Sequence, residues 1–410
     1  MENPPFKFSK WLKIALFNFL ITALAGILLR YQSNFPMASI NYIFLLHSHS
    51  HFAFTGWVSL ALMSLMINYL SKEQQDYNSR KYEWILIANT FSAYGMLITF
   101  VLQGYALYSI TFSTLSIFVS YVFIWVYWKD LTKASGPAVK WFKTAMILCG
   151  LSSLGAFTMA FFMAKHIQVQ EYNLAAIYFY LHFQYNGWFI FVCLGLLFAY
   201  LDQEHNISLP LISRNLYTVL AIAVVPSYLL SLSGMDIVKH FSWILTATGI
   251  LQLFALYDFG RLIRTVKTEI AGKLGSNTLQ LWTLAAISFI LKLVLQFLPV
   301  IPWFTSYATG FRPIAIAYLH LIFLGIVSFF IIGYINEYQV YKQGQLPGKG
   351  TYIFIAGVFI QETILMLQGL TAMWSSVLPH ANLFLLFSAI IIGSGISIIA
   401  YQAVFCRRQI

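Results

Sequence analysis

The sequence predicts an all-α integral membrane protein with about twelve transmembrane helices. Of its 410 residues, 60% are hydrophobic and only 9% are charged, whereas a soluble protein carries about 25% charged residues. The mean hydropathy is +0.75. These values exclude a water-soluble globular protein and a disordered chain, and three widely spaced cysteines exclude a disulfide scaffold. We therefore expect the lipid bilayer to surround most of the chain.

Twelve apolar stretches are long enough to cross a bilayer, which takes roughly 20 helical residues. They lack the alternation of apolar and polar residues that marks a barrel strand, so helices are the predicted spanning elements. The connecting segments are too short for a soluble domain, so residues 1–410 are predicted to form a single polytopic membrane domain. In chain order the predicted spans are 11–30, 42–70, 82–107, 109–128, 141–163, 173–200, 212–233, 239–263, 279–301, 312–336, 351–377 and 379–405.

The basic residues predict the orientation of these helices. The chain has 24 Lys and Arg against 13 Asp and Glu, a formal net charge of +11. Most basic residues fall in segments on one side, and the other side holds only Arg30, Lys165, Lys239 and Arg312. Cytoplasmic loops carry the excess of Lys and Arg, so both termini are predicted on the cytoplasmic side of a bacterial inner membrane. The positive charge then reflects topology, and we expect no nucleic-acid partner.

Three histidines occupy equivalent places within the predicted helices 2, 6 and 10. Each is followed five residues later by glycine, in the pairs His51 and Gly56, His182 and Gly187, and His320 and Gly325. Their separation of roughly 130 to 140 residues predicts three repeated four-helix arcs, at about 1–130, 131–265 and 266–410. Each histidine is expected at one level, roughly 13 Å into its helix from the outer side. Such side chains are costly in a membrane and indicate a metal or haem site. The glycines would let a flat ring or a neighbouring helix approach closely.

The second predicted helix carries a cluster of three histidines, His47, His49 and His51. His47 and His51 are four residues apart and share a helix face, whereas His49 points roughly the opposite way. Only His51 matches the repeat, so it is the preferred ligand. His47 then either assists His51 as a ligand or forms with it a two-histidine copper or zinc site. His49 is expected to face another site or the lipid headgroups.

With these histidines, the chain resembles subunit I of the haem-copper oxidase superfamily, which includes the nitric oxide reductases. The run LLHSHSHFAFTGWVSLALMSLM is similar to the helix-2 haem-ligand region of divergent members of that superfamily. It is also similar to a segment of the NnrS family of haem- and copper-binding membrane proteins. The resemblance implies a b-type haem bound by His51 and His320, with copper bound by His182. A single haem clamped between His51 and His320 is the simplest site that these residues allow.

The resemblance is incomplete at the catalytic ligands. Enzymes of the family carry a histidine pair on helix 7 and two histidines on helix 10, whereas 212–233 has none and helix 10 has only His320. The prediction is a haem- or metal-binding protein of respiratory or nitric oxide-related redox chemistry. It would take NO or O₂ as its gas and electrons from quinol or a redox protein. The alternatives are a non-catalytic NnrS-like haem-copper protein of the nitrosative stress response and a proton-coupled transporter without a cofactor.

Four further charged residues are candidates for the site. Lys292 and Glu362 lie near the middle of predicted helices 9 and 11, where a charge is costly. They are candidates for proton transfer or a buried pair, with a snorkelling lysine and a protonated glutamate as the alternative. Arg30 and Arg312 stand at the outer rim, and arginine binds carboxylates through paired hydrogen bonds. They are therefore candidates for binding haem propionates, with interfacial anchoring as the alternative.

Overall fold

The fold, seen in a computed structural model, is described for residues 6–74, 78–270, 272–305, 312–337 and 348–405. Within these ranges the chain forms helices and connecting turns without a strand. Eleven helices are long and apolar enough to cross a membrane, and a bent pair of shorter helices raises the number to twelve. The all-α membrane fold predicted from composition is confirmed.

Each predicted span falls on one helical segment, and we number these segments α1 to α12 in chain order. Their bounds are α1 Phe8–Asn34, α2 Tyr42–Glu73, α3 Ser79–Gln103, α4 Leu107–Leu131, α5 Val139–Ala164, α6 Gln170–His205, α7 Pro210–Ala223 with a 3₁₀ turn at Pro226–Leu232, α8 Ser242–Glu269, α9 Ser276–Val300, α10 Arg312–Glu337, α11 Gly348–Met373 and α12 Ala381–Phe405.

Several helix ends have a local cause in the sequence. The side chain of Asn41 accepts from the backbone N–H groups of Ile43 and Phe44, which caps the start of α2. Gly104 follows α3 with a φ of 62° and Asn206 follows α6 with a φ of 53°. Both are left-handed conformations that these residue types tolerate best. Pro210 occupies the first turn of α7, where its missing N–H costs no helical hydrogen bond.

The seventh segment differs from the prediction. A continuous helix was expected over 212–233, but the helix Pro210–Ala223 and the 3₁₀ turn Pro226–Leu232 meet at an angle of 52°. Pro226 explains the break, because its ring lacks a backbone N–H and collides with the preceding helical turn. The break leaves backbone carbonyls near its start without a helical partner, and side chains must satisfy them.

Contacts divide the described chain into two compact units. The first comprises Met1–Ala134, Ser276–Leu281 and Ile331–Ile410, and the second comprises Ser135–Gly275 and Trp282–Phe330. The first unit thus holds α1 to α4, α11 and α12, and the second holds α5 to α8 with most of α9 and α10. The three four-helix arcs remain a prediction from the sequence.

Aromatic and small residues pack the first unit. The rings of Phe19 and Trp57 stack with centroids 4.4 Å apart, and Phe354 meets Phe19 edge-on at 5.7 Å. α11 and α12 touch through glycines, since a Cβ at Gly395 would lie 2.5 Å from the backbone nitrogen of Phe354. Small residues that allow such close approach are typical of helix pairs in membranes.

The second unit is held together by comparable contacts between α5 and α6. Trp141 stacks against Phe198 at 5.5 Å. A Cβ at Gly187 would lie 2.7 Å from the Leu148 Cβ atom. Gln184 donates to the Ser152 hydroxyl at 2.8 Å. These contacts fix α6, and with it His182, against its neighbour.

Candidate functional site

Each of the three repeated histidines stands directly before a π-helical turn. The turns span Ala53–Ser59, Phe183–Phe189 and Leu321–Ser328. They begin two residues after His51 and one residue after His182 and His320. A π-helical turn bonds residues five apart, which is the spacing from each histidine to its glycine. Such turns are rare, and they are frequent at functional sites.

In the first unit, asparagines of neighbouring helices hold the π-helical turn. Asn18 of α1 donates to the Gly56 carbonyl at 2.8 Å, and Asn89 of α3 donates to the Thr55 carbonyl at 3.1 Å. The hydroxyl of Tyr94 donates in turn to the Asn18 side chain at 2.8 Å. Asn18 is fully buried. Because a carbonyl without a hydrogen-bond partner is costly in lipid, these asparagines stabilise the irregular turn.

His51 and His47 lie on one face of α2, as their spacing predicted. The Nε2 atom of His51 is 3.1 Å from the Tyr105 hydroxyl, and its ring stacks on Phe100 at 4.4 Å. His47 meets the Tyr105 ring edge-on at 4.7 Å. Tyr105 lies between α3 and α4 and is 47% exposed. The Tyr105 side chain therefore has room to rotate away from His51.

His49 points the other way, toward α1. Its Nδ1 atom donates to the Thr22 carbonyl at 3.1 Å. Gly26, one turn further along α1, makes room for the ring, since a Cβ there would lie 3.3 Å from the His49 Cε1 atom. His49 thus faces a neighbouring helix and not the headgroups, and Arg30 lies on the same stripe of α1.

His182 is fully buried and uses both ring nitrogens within the protein. Its Nε2 atom donates to the Val224 carbonyl at 2.7 Å, at the point where Pro226 breaks α7. Its Nδ1 atom accepts from the Asn186 amide at 3.1 Å. The Ser227 hydroxyl also donates to the Val224 carbonyl, at 3.1 Å. His182 therefore satisfies the carbonyl that the broken helix leaves without a helical partner.

His320 forms a hydrogen bond within its own helix. Its Nδ1 atom donates to the Ile316 carbonyl at 2.8 Å, so its Nε2 atom is the unprotonated nitrogen. Metal-bound histidines commonly donate their other nitrogen to a backbone carbonyl in this way. Arg312 is exposed at the first residue of the same helix. The tautomer of His320 fits an axial ligand of haem.

His182 and His320 do not lie at the same position along α6 and α10, contrary to the prediction of one level. These helices pair Tyr185 with Tyr318 and Phe189 with Phe323, at ring distances of 5.9 and 5.6 Å. This register sets His320 beyond His182 by about one helical turn, roughly 6 to 7 Å. Equal distances from a helix start do not fix equal depth, because packing of large side chains sets the register.

Lys292 is buried in the second unit. It is 3% exposed, and its Nζ atom lies 5.4 Å from the centroid of the Phe289 ring. α9 and α10 run antiparallel, with Ser288 against Gly325 and Trp282 donating to the Phe330 carbonyl. This register places Lys292 at the level of His320.

Glu362 lies on α11 in the first unit. It is half-buried, and its Oε1 atom has no hydrogen-bond partner among the described residues. Its neighbour Gln361 is buried and accepts from the Ser388 hydroxyl at 3.5 Å. Glu362 and Lys292 belong to different units, as do His51 and His320. A Lys292–Glu362 pair and a haem clamp between His51 and His320 therefore stay predictions.

Across the described ranges, no group of three or more histidine, cysteine or carboxylate side chains is arranged to hold a metal ion. His182, the residue that the resemblance implied for copper, has no nitrogen left for a metal in this arrangement. A haem iron needs only one or two histidines. The Nδ1 hydrogen bond of His320 suits an axial ligand, and the Nε2 atom of His51 is 3.1 Å from the Tyr105 hydroxyl.

No protein-family model matches this chain, and no curated protein sequence matches it. The chemistry of the site therefore rests on its own residues.

Several residues of the site were not expected from the sequence. Asn186, Tyr105 and the Val224 carbonyl bond the histidines, and Asn18 and Asn89 hold a π-helical turn. A signal was present for some of them. Asn186 follows His182 by four residues, Pro226 interrupts an apolar span, and asparagine is rare and functional within transmembrane helices.

Proposed function

We propose that this chain is a haem-binding integral membrane protein that acts in respiratory or nitric oxide-related redox chemistry. The observation that carries the proposal is the π-helical turn that begins one or two residues after each of His51, His182 and His320. Together with the repeated His and Gly spacing, it supports the relationship to haem-copper oxidase subunit I that the sequence suggested. Function still has to be argued from the ligand residues, because one fold hosts many functions.

His320 is the proposed axial ligand in the second unit, and His51 is the proposed ligand in the first. Supporting His320 is the hydrogen bond from its Nδ1 atom to the Ile316 carbonyl, which orients the ring as in many metal-bound histidines. Supporting His51 is the partner of its Nε2 atom, because the Tyr105 hydroxyl 3.1 Å away belongs to an exposed side chain that can rotate. Arg30 and Arg312 are the proposed partners of the propionates. A bound haem would supply one-electron chemistry and a centre for NO or O₂.

The copper half of a catalytic centre is not part of the proposal. His182 is engaged by Val224 and Asn186, and α7 offers no histidine. These features favour a protein that binds haem and a gas without rapid turnover, as in the NnrS-like alternative. We further propose quinol or a redox protein as electron donor, and a bacterial inner membrane with both termini in the cytoplasm as the location.

Spectra of the purified full-length protein test this proposal. The wild-type protein should show sharp α and β bands after dithionite reduction, as six-coordinate low-spin haem does. His51→Ala and His320→Ala should each lose or shift these bands, and a shift on adding CO or NO would indicate an open site. His240→Ala is the matched control, because His240 is exposed. Wild-type protein without haem would refute the proposal.

A proton-coupled transporter is the second candidate function. Two buried charged side chains favour it. Lys292 on α9 is only 3% exposed. Glu362 on α11 has a buried carboxylate oxygen without a hydrogen-bond partner among the described residues. Charged residues at such depth mark ion or proton paths. Proton uptake into vesicles that contain the haem-free protein would support it. Loss of this uptake in Lys292→Met and Glu362→Gln would be required.

A further inference from the structure

Two basic side chains lie beside one tyrosine near the first turns of α5 and α7, in the second unit. The Lys140 Nζ atom of α5 lies 5.0 Å from the centroid of the Tyr217 ring on α7. Thr144, one turn after Lys140, shares a hydrogen bond of 2.7 Å with the Tyr217 hydroxyl. Arg214 is exposed and lies three residues before Tyr217, and side chains three apart are neighbours on a helix. We call Lys140 and Arg214 the basic pair.

A second set of contacts holds α5 against α7 at the same level. The indole nitrogen of Trp141 donates to the Ser213 hydroxyl at 3.3 Å, and the Trp141 ring meets the Tyr217 ring edge-on at 5.2 Å. Trp141 directly follows Lys140 in the chain, and Ser213 directly precedes Arg214. The packing of the two helices therefore sets the basic pair at one end of the membrane-spanning segments.

The basic pair has no acidic neighbour. Among the described residues, no carboxylate oxygen lies within 4.0 Å of Lys140 or Arg214. The sequence around them agrees, because 135–143 and 206–217 contain neither Asp nor Glu. Two like charges on neighbouring helices repel each other, so an anion bound between them would stabilise both.

The helix faces that carry the basic pair continue as exposed apolar surface. Ile147 follows Lys140 by seven residues and is 58% exposed, and Ile222 follows Arg214 by eight residues and is 57% exposed. Residues seven or eight apart share one face of a helix. In a membrane-spanning helix such apolar surface contacts lipid tails. The basic pair therefore lies where a lipid headgroup would sit above its own acyl chains.

We propose that the basic pair binds the phosphate group of an anionic phospholipid, with the acyl chains along the face that carries Ile147 and Ile222. Both basic side chains donate to phosphate oxygens, and arginine does so through paired N–H groups. Basic sites between transmembrane helices bind headgroups of this class. A zwitterionic headgroup adds a cation that the basic pair repels. The inference does not depend on haem, because neither residue is a proposed haem partner.

Native mass spectrometry of the full-length protein measures this binding. The protein in detergent is titrated with dioleoyl phosphatidylglycerol and, separately, with dioleoyl phosphatidylcholine, which has the same tails. We expect the wild type to bind phosphatidylglycerol saturably and about ten-fold or more tightly than phosphatidylcholine, because two basic groups attract the anionic headgroup. The preference should shrink as the ionic strength rises.

Three variants that each remove one positive charge locate the site. Lys140→Gln and Arg214→Gln should each weaken phosphatidylglycerol binding about five-fold, through the loss of one basic group at the headgroup. Lys267→Gln, at an exposed lysine of α8, is the charge-matched control and should bind like the wild type. An effect of net charge alone would be equal in all three.

Three outcomes would overturn the lipid site. The first is equal affinity of the wild type for phosphatidylglycerol and phosphatidylcholine. The second is unchanged phosphatidylglycerol affinity in both Lys140→Gln and Arg214→Gln. The third is displacement of phosphatidylglycerol by an equal concentration of inorganic phosphate, since the tails would then contribute nothing. The haem proposal is separable in the same series, because His320→Ala should lose the haem bands and keep the lipid preference.

Discussion

The break in α7 can be tested by removing the side chains that bond its free carbonyl. His182 Nε2 donates to the Val224 carbonyl at 2.7 Å, and the Ser227 hydroxyl donates to the same oxygen at 3.1 Å. We consider His182→Phe, Ser227→Ala and the double variant. Phenylalanine keeps a ring in this fully buried position and removes both ring nitrogens.

The two hydrogen bonds to one oxygen determine the expected energies. In either single variant the Val224 carbonyl keeps one donor, so the loss there is about 0.5 to 1.5 kcal/mol. His182→Phe also deprives the Asn186 amide of its acceptor, which adds about 1 to 3 kcal/mol. In the double variant the carbonyl is left with no donor. The double variant should therefore lose about 1 kcal/mol more than the sum of the single variants.

The assay is unfolding of the purified protein in mixed micelles, with the free energy taken from the denaturant midpoint. The cycle is repeated with His240→Phe in place of His182→Phe. His240 is exposed and far from Val224 in sequence, so that cycle should be additive. If the His182 and Ser227 cycle is also additive within about 0.3 kcal/mol, the two side chains do not share the Val224 carbonyl as their acceptor.

Three other substitutions probe the π-helical turns and the His51 surroundings. Gly187→Ala should lower stability by about 1 to 3 kcal/mol, because its Cβ would lie 2.7 Å from the Leu148 Cβ atom. The control Gly150→Ala should be neutral or stabilising, because a Cβ at Gly150 would meet no atom within 4 Å. Equal Tm values for the two variants would contradict this prediction. Asn18→Leu should cost about 1 to 3 kcal/mol by orphaning the Gly56 carbonyl, and an unchanged denaturant midpoint would show that the carbonyl finds another donor. Tyr105→Phe should keep the haem content measured by absorbance, since the Tyr105 hydroxyl must leave His51 before iron binds. A loss of haem equal to that in His51→Ala would argue for a direct role of the hydroxyl.

The number and order of the helices could be predicted because bilayer thickness sets the length of each apolar segment. The helical period likewise placed His47 and His51 on one face and His49 on the other, and the structure has them so. His51 and His47 both meet Tyr105, whereas His49 bonds Thr22. Local rules of this kind need no knowledge of which helices are neighbours.

The partners of the histidines could not be predicted, because they depend on packing between distant segments. The Val224 carbonyl becomes an acceptor only after Pro226 bends α7 beside His182. The register of α6 against α10 follows from the contacts of Tyr185 and Phe189, which the repeat did not reveal. The His and Gly spacing of five residues was visible, but reading it as a π-helical turn required the backbone.

Haem content is the most direct measure of the central claim. The full-length protein, purified from haem-replete cells, is assayed by pyridine haemochrome and by total protein, with His51→Ala, His320→Ala and His240→Ala in parallel. We expect b-type haem in the wild type and in His240→Ala, and its loss or depletion when His51 or His320 is replaced. Wild-type protein that contains no haem, or His51 and His320 variants that retain it in full, would contradict haem binding at these histidines.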